Sequence, residues 1–235
     1  MNKIVIGLIV GVVILVGLGW GVAQIFLAQQ STPALIPEEW VVLPAPVMDS
    51  ETSIEEALLT RRSIRDYQEG GLALSDVSQL LWAAQGITDP SGKRTAPSAG
   101  ALYPLEVYLV VGEVEGLSAG VYRYLPAEHA LTLTLEGDIR EALAEASLGQ
   151  EWVLNAPASI LITAIFERTT RRYGQRGERY VYMEVGSVAQ NVYLQAVPLG
   201  IGTVFVGAFH EDQVIQAAGI VEGEVPVCIL PVGRK

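Results

Sequence analysis

The hydrophobic pattern changes character several times along the chain. From Ile4 to Ala28 it is unbroken, with no charged side chain in 25 residues. As a helix that stretch would rise roughly 37 Å, enough to cross a hydrocarbon core of about 30 Å. It is longer than a typical signal-peptide core and ends at Phe26-Leu27-Ala28, where cleavage would want small residues. One N-terminal transmembrane helix within residues 1–28 is therefore expected. Lys3 precedes it and no Lys or Arg follows until Arg61, which by charge bias would put the remainder outside the cytoplasm. Residues 29–50, interrupted by Pro33, Pro37, Pro44 and Pro46, carry no periodicity and read as a linker.

Periodic patterning begins at residue 51. Ser53 followed by Glu56 forms a capping box for a helix through Leu59. Val77, Leu80, Leu81 and Ala84 share one face of a second helix, with Ser75 as its cap and Gly86 as its stop. After a loop of small residues from Gly92 to Pro104, Glu106 to Val111 predicts a strand. Val121 to Tyr124 and Ala130 to Leu135 predict a hairpin. Asp138 to Leu148 patterns as a helix, and Ala158 to Phe166 as a strand buried on both faces. A long helix is expected from about Glu178 to Leu199, perturbed at Pro198. A strand at Thr203 to Val206, a helix at Glu211 to Ala218 and a strand at Val227 to Val232 follow. The mixture lacks a regular βαβ repeat, so an α+β domain over residues 51–235 is expected.

Composition narrows the partners. The net charge is −11, and all 26 acidic residues lie after the apolar segment, which argues against nucleic acid. Cys228 is the single cysteine, so neither an intrachain disulfide nor a cysteine-based metal site can form. His129 and His210 lie far apart near turns and read as surface residues rather than ligands.

Against this acidic background the arginines cluster. Arg61, Arg62 and Arg65 surround Ser63, five more lie between Arg168 and Arg179, and Arg234-Lys235 closes the sequence. Arginine forks match phosphate geometry. The same residues could equally form a solvated face paired to Glu55 and Asp66, and composition alone leaves both readings open. No P-loop, dinucleotide fingerprint, nucleophile elbow or zinc-protease motif occurs.

The segment Arg61 to Tyr67 (RRSIRDY) resembles the N-terminal phosphate motif of nitroreductase-fold flavoproteins. Ala96 to Pro104 (APSAGALYP) is similar to a loop of their SagB-type dehydrogenase branch, as are Arg172 to Tyr180, Glu184 to Gly186, Gln190-Asn191 and Gly202 to Phe209. The resemblance implies a nitroreductase-like fold, with a central, mainly antiparallel sheet flanked by helices. It also implies an FMN-dependent oxidoreductase that is usually a homodimer with flavin at the interface. Carried onto this sequence, it assigns Arg61, Arg62, Ser63, Arg65 and Arg234 to the phosphate, ribityl chain or pyrimidine edge. Pro97, Ser98, Ala99 and Gly100 would cover the partner subunit's flavin. Val206 and Gly207 would lend backbone N–H groups near flavin N5 and O4.

Two departures stand out. Where azole-forming members carry a Lys-Tyr pair, this chain reads Arg172-Tyr173. Arginine stays protonated and cannot act as a base, which leaves Tyr173 as the candidate acid/base. The C-terminal arm of many relatives is absent after Lys235, so dimerisation is expected to use the long helix near Glu184 to Leu199. The expected activity is hydride transfer between flavin and a small organic substrate. Azoline oxidation in a peptide and a non-catalytic flavin module are the alternatives. FMN is ordinarily available inside cells, which counts against an outward-facing domain.

Overall fold

The computed structural model describes residues 40–235. The expected membrane helix and the first half of the expected linker, residues 29–39, lie outside these residues. Among the described residues no helix is long and apolar enough to cross a membrane.

Seven strands form one sheet: β1 (Trp40–Val42), β2 (Leu105–Val111), β3 (Gly120–Leu125), β4 (Ala130–Glu136), β5 (Ala158–Ala164), β6 (Ile201–Thr203) and β7 (Val225–Arg234). Their order is β1-β4-β3-β2-β5-β7-β6, and every neighbouring pair is antiparallel. The helices are α1 (Ile54–Thr60), α2 (Leu74–Gln85), α3 (Arg140–Ala146), α4 (Glu151–Leu154), α5 (Glu167–Tyr173), α6 (Arg176–Ala196) and α7 (Glu211–Ala218). A short 3-10 turn spans Ala99–Ala101.

Because alternate strand residues face opposite sides, the central strands feed two cores. Ile160 and Ile162 of β5 pack with Leu80 and Leu81 of α2 and Val181, Val185, Val188 and Val192 of α6. Leu161 turns to the other side, with Leu143 of α3, Val214 of α7 and Ile229 of β7. All seven β5 residues are buried, as its continuous apolar run predicts. The α+β fold with an antiparallel sheet and flanking helices agrees with the sequence reading.

Several details differ from that reading. Residues 40–48, within the expected linker, are built into the domain. Trp40–Val42 pairs with β4, the Leu43 N–H donates to His129 O, and the Val47 N–H donates to Gln79 Oε1 at 2.7 Å. Prolines masked this strand locally, and its pairing partners are about ninety residues away. His129, expected on the surface, is half-buried and ties this segment down. Its ring contacts Tyr124 Oη at 2.8 Å, Ser78 Oγ at 2.8 Å and Pro44 O at 3.0 Å. Ser53 caps α1 as predicted, its Oγ accepting the Glu56 N–H at 3.1 Å. Ser75 does not cap α2; the helix starts at Leu74 after Ala73 with no side-chain cap.

The long helix starts at Arg176 rather than Glu178 and ends at Ala196; Val197 keeps helical angles, but Pro198 has no N–H with which to continue the ladder. A separate helix, α5, was not expected; Gly174, at φ +58°, breaks it from α6. The strand expected at Thr203 to Val206 ends at Thr203.

Candidate functional site

The first arginine group is positioned by a close-packed edge. Residues 61–68 run extended beside β6 and β7: Ser63 bridges Thr203, the Ile64 N–H donates to Thr203 O, and the Gln68 N–H donates to Arg234 O. Two glycines admit this segment. A Cβ on Gly202 would lie 2.6 Å from Ile64, and one on Gly233 would lie 2.6 Å from Tyr67. With Ile64 turned inward, extended geometry turns Arg61, Ser63 and Arg65 outward together. The Arg61 guanidinium stacks 5.0 Å from the Tyr193 ring centre, and Arg65 lies 5.3 Å from that of Trp152. Ser63 Oγ lies 3.1 Å from Tyr193 Oη. Arg62 bends back, donating from Nη1 to Leu59 O and Arg61 O at the end of α1.

The loop after β6 meets the same tyrosine. The Phe205 N–H donates to Tyr193 Oη at 2.7 Å. Val206 is buried and exchanges backbone hydrogen bonds with Ile229 at 2.9 and 3.0 Å. Its N–H is therefore engaged within the protein. The Gly207 N–H has no protein acceptor among the described residues, and Gly207 is exposed.

Arg234 and Lys235 part company because strand neighbours alternate sides. Arg234 Nη2 pairs with Asp76 Oδ2 at 2.6 Å, and its Nη1 donates to Leu199 O at 3.3 Å. Lys235, not Arg234, lines a small cavity of about 50 Å³ with Arg61, Arg62 and Tyr193.

The second group gathers at the other half of α6. Pro97 and Gly100 are exposed, and Ser98 and Ala99 half-buried, on a turn in which Gly100, Ala101 and Tyr103 all have positive φ. Ser98 Oγ accepts the Tyr103 N–H at 2.9 Å and so closes the turn. A Cβ on Gly100 would lie 2.8 Å from Tyr173 Oη and 3.1 Å from Arg172 Nη1, so only glycine lets that pair approach. Tyr173 in turn packs edge-on against Tyr180 at 5.2 Å.

Beneath this turn lies Glu184, only 3% exposed, with Oε1 lacking any hydrogen-bond partner. Burial pushes its carboxyl up to about 7, while Ser98, Gln85 and the charge of Arg94 pull the other way. Nine residues of α6 separate Glu184 from Tyr193, about 14 Å of helix rise. The structure thus gathers Arg61, Ser63 and the Gly207 loop around Tyr193, and Ser98, Gly100 and Tyr173 near Glu184.

Tyr193 was not singled out from the sequence, and Lys235 and Glu184, though they fall within noted motifs, were given no role. A signal existed for Glu184. It falls three residues after Val181 and one before Val185 on the apolar face of α6, where a lone carboxylate is out of place.

The nitroreductase family model matches residues 58–234. The chain belongs to the nitroreductase family. The nitroreductase homologue MJ1384 of Methanocaldococcus jannaschii is 48% identical over 185 residues, covering 79% of this chain and 92% of that one. The microcin B17-processing protein McbC of Escherichia coli is 36% identical over 136 residues, covering 55% of this chain and 50% of McbC. Among solved structures, a Ralstonia eutropha nitroreductase superposes with a TM-score of 0.74 at 30% identity, covering 84% of this chain and 90% of that one. The family resemblance seen in the motifs therefore holds across the fold, and relatives such as McbC bear out the SagB-type branch.

Proposed function

We propose that this nitroreductase-family protein is an FMN-dependent oxidoreductase acting on a small organic substrate. The observation that carries the reading is the outward alignment of Arg61, Ser63 and Arg65 on a segment pressed against β6, beside the exposed Gly207 N–H. Two guanidinium forks and a hydroxyl suit a phosphate and polyol chain, and a free backbone donor suits the ring edge. Lys235, in the cavity with Arg61, adds a further positive charge. The residues present therefore fit the cofactor.

When bound, FMN supplies hydride chemistry that no side chain offers. The chain's own residues would hold and shield it. Arg61, Ser63, Arg65 and Lys235 bind the phosphate-bearing end. Gly207 donates to the ring edge, and Pro97 to Gly100 present small groups that permit close approach to a flat ring.

A homodimer with flavin between subunits is part of the proposal. It accounts for two groups of binding residues set about 14 Å apart along α6. It also accounts for the apolar surface of α1, where Ile54, Leu58 and Leu59 are exposed. We further propose that the Ile4 to Ala28 segment tethers the domain to a membrane; thiol labelling of a Ser50→Cys variant in intact and opened cells tests its orientation.

Purified protein should be yellow and bleach on reduction. The double variant Arg61→Ala/Arg65→Ala should fold but lose flavin. A colourless wild type that takes up no added FMN, or unchanged flavin in the double variant, would refute the assignment. Bound flavin that no donor reduces would instead indicate a non-catalytic module.

Azoline oxidation is the second reading, favoured by the similarity to McbC. Arg172 stands against it, because a guanidinium cannot take the substrate proton as a lysine can. Turnover of azoline peptides that disappears in Tyr173→Phe would establish it.

A further inference from the structure

From Glu167 to Arg179 the chain carries five arginines against two glutamates, a local net charge of +3 in a protein of net charge −11. Arg168 is paired, with Nη2 at 2.6 Å from Glu106 Oε1 and Nη1 donating to Tyr103 O at 3.0 Å. Arg171, Arg172, Arg176 and Arg179 form no ion pair among the described residues, although carboxylates pair with Arg123, Arg140 and Arg234 elsewhere. All four are exposed, so solvent screens their repulsion in part, and an anion joining them would relieve the rest.

The turn at Gly174 joins α5 to α6 here, and the corner borders an open surface groove of about 860 Å³. Its walls are Tyr173, Gln175, Arg176, Glu178, Arg179 and Tyr182. Both tyrosines are braced from behind. Tyr173 packs edge-on to Tyr180, and Tyr182, though 58% exposed, lies 5.4 Å from the Phe166 ring centre. Arg172 stacks 5.5 Å from the Tyr173 ring centre, beside the Gly100 turn. Fixed rings and arginine forks at one mouth suit a planar ligand with one charged end. Glu178 on the same wall disfavours a second negative charge on the ring side.

We propose that this groove is a binding site for a planar aromatic ligand with a single anionic end, a carboxylate or a phosphate, held by Arg176 and Arg179 with its ring against Tyr173 and Tyr182. As a substrate site the groove rests on the flavin reading above; as an anion site it does not. Its position beside the Gly100 turn would aim the uncharged end of the ligand towards that turn.

Calorimetry on the full-length protein saturated with FMN tests this, using 4-nitrobenzoate, phenyl phosphate and the neutral 4-nitrobenzyl alcohol. The two anions separate carboxylate from phosphate preference. The anions should bind at least tenfold more tightly than the alcohol. Arg176→Ala/Arg179→Ala should erase that difference while leaving flavin content and alcohol binding unchanged. In turnover, the same variant should raise KM for 4-nitrobenzoate about tenfold and leave kcat within twofold. Equal binding of anion and alcohol would overturn the proposal. So would loss of anion binding in Arg61→Ala but not in the groove variant, or a change of oligomeric state in the groove variant by sedimentation. A preparation unable to bind FMN would overturn the flavin reading, and the comparison of the two variants would still report on the groove.

Discussion

Tyr193 Oη accepts the Phe205 N–H at 2.7 Å and lies 3.1 Å from Ser63 Oγ, so one hydroxyl joins the arginine segment to the glycine loop after β6. The tyrosine is buried on α6, which makes the link a property of the scaffold rather than of either loop. Tyr193→Phe removes both contacts and leaves the Phe205 N–H without its acceptor. The expected cost is about 1–2 kcal/mol in urea denaturation. Flavin affinity should drop roughly tenfold, the equivalent of about 1.4 kcal/mol. Fluorescence titration giving wild-type affinity would show that the two segments hold their positions without this bridge.

The last two residues should separate cleanly by function. Arg234 pairs with Asp76, so Arg234→Ala should lower stability by at most about 1 kcal/mol, its guanidinium being partly exposed. A double-mutant cycle with Asp76→Asn should recover that coupling. Lys235→Ala should leave stability unchanged and weaken flavin binding, most visibly at low ionic strength. The opposite pattern would mean that Arg234 releases Asp76 when the cofactor binds.

Glu184 gives the protein a pH dependence. Its carboxyl is raised from an ordinary value of 4.5 to about 7, chiefly by burial. Between those two values the folded protein keeps a proton that the unfolded chain has already released. Stability therefore falls as pH rises through about 4.5 to 7 and levels off above, by a total on the order of 3 kcal/mol. Glu184→Gln should flatten that portion of the profile. Parallel curves for both proteins would refute the assignment. Ser98 lies beside this carboxyl and closes the Tyr103 turn, so the same titration should alter the accessibility of the Pro97 to Gly100 segment to hydrogen exchange.

Cys228 is wholly buried, and burial raises its thiol further above the ordinary range. The native protein should give no reaction with a thiol reagent over the time in which the denatured protein yields one equivalent. Rapid labelling of the native state would show that β7 opens locally.

The sequence by itself determined most of the elements, because local pattern is enough to form them. The apolar stripe Val77, Leu80, Leu81, Ala84 encoded α2, the Ser53–Glu56 box encoded the start of α1, and the continuous run of β5 encoded burial on both faces. The motif from Arg61 to Tyr67 also marked the family, since its residues are contiguous. Only the tertiary structure decided what depends on distant partners. Trp40–Val42 becomes a strand because β4 offers an open edge about ninety residues later. Gly202 and Gly233 matter because Ile64 and Tyr67 lie over them, and Tyr193 matters because two loops converge on its hydroxyl. Arg234 and Lys235 are adjacent in sequence, yet one pairs with Asp76 and the other lines the cavity beside Arg61. Strand alternation sets that difference, and which side faces the site is known only once β7 has its place in the sheet.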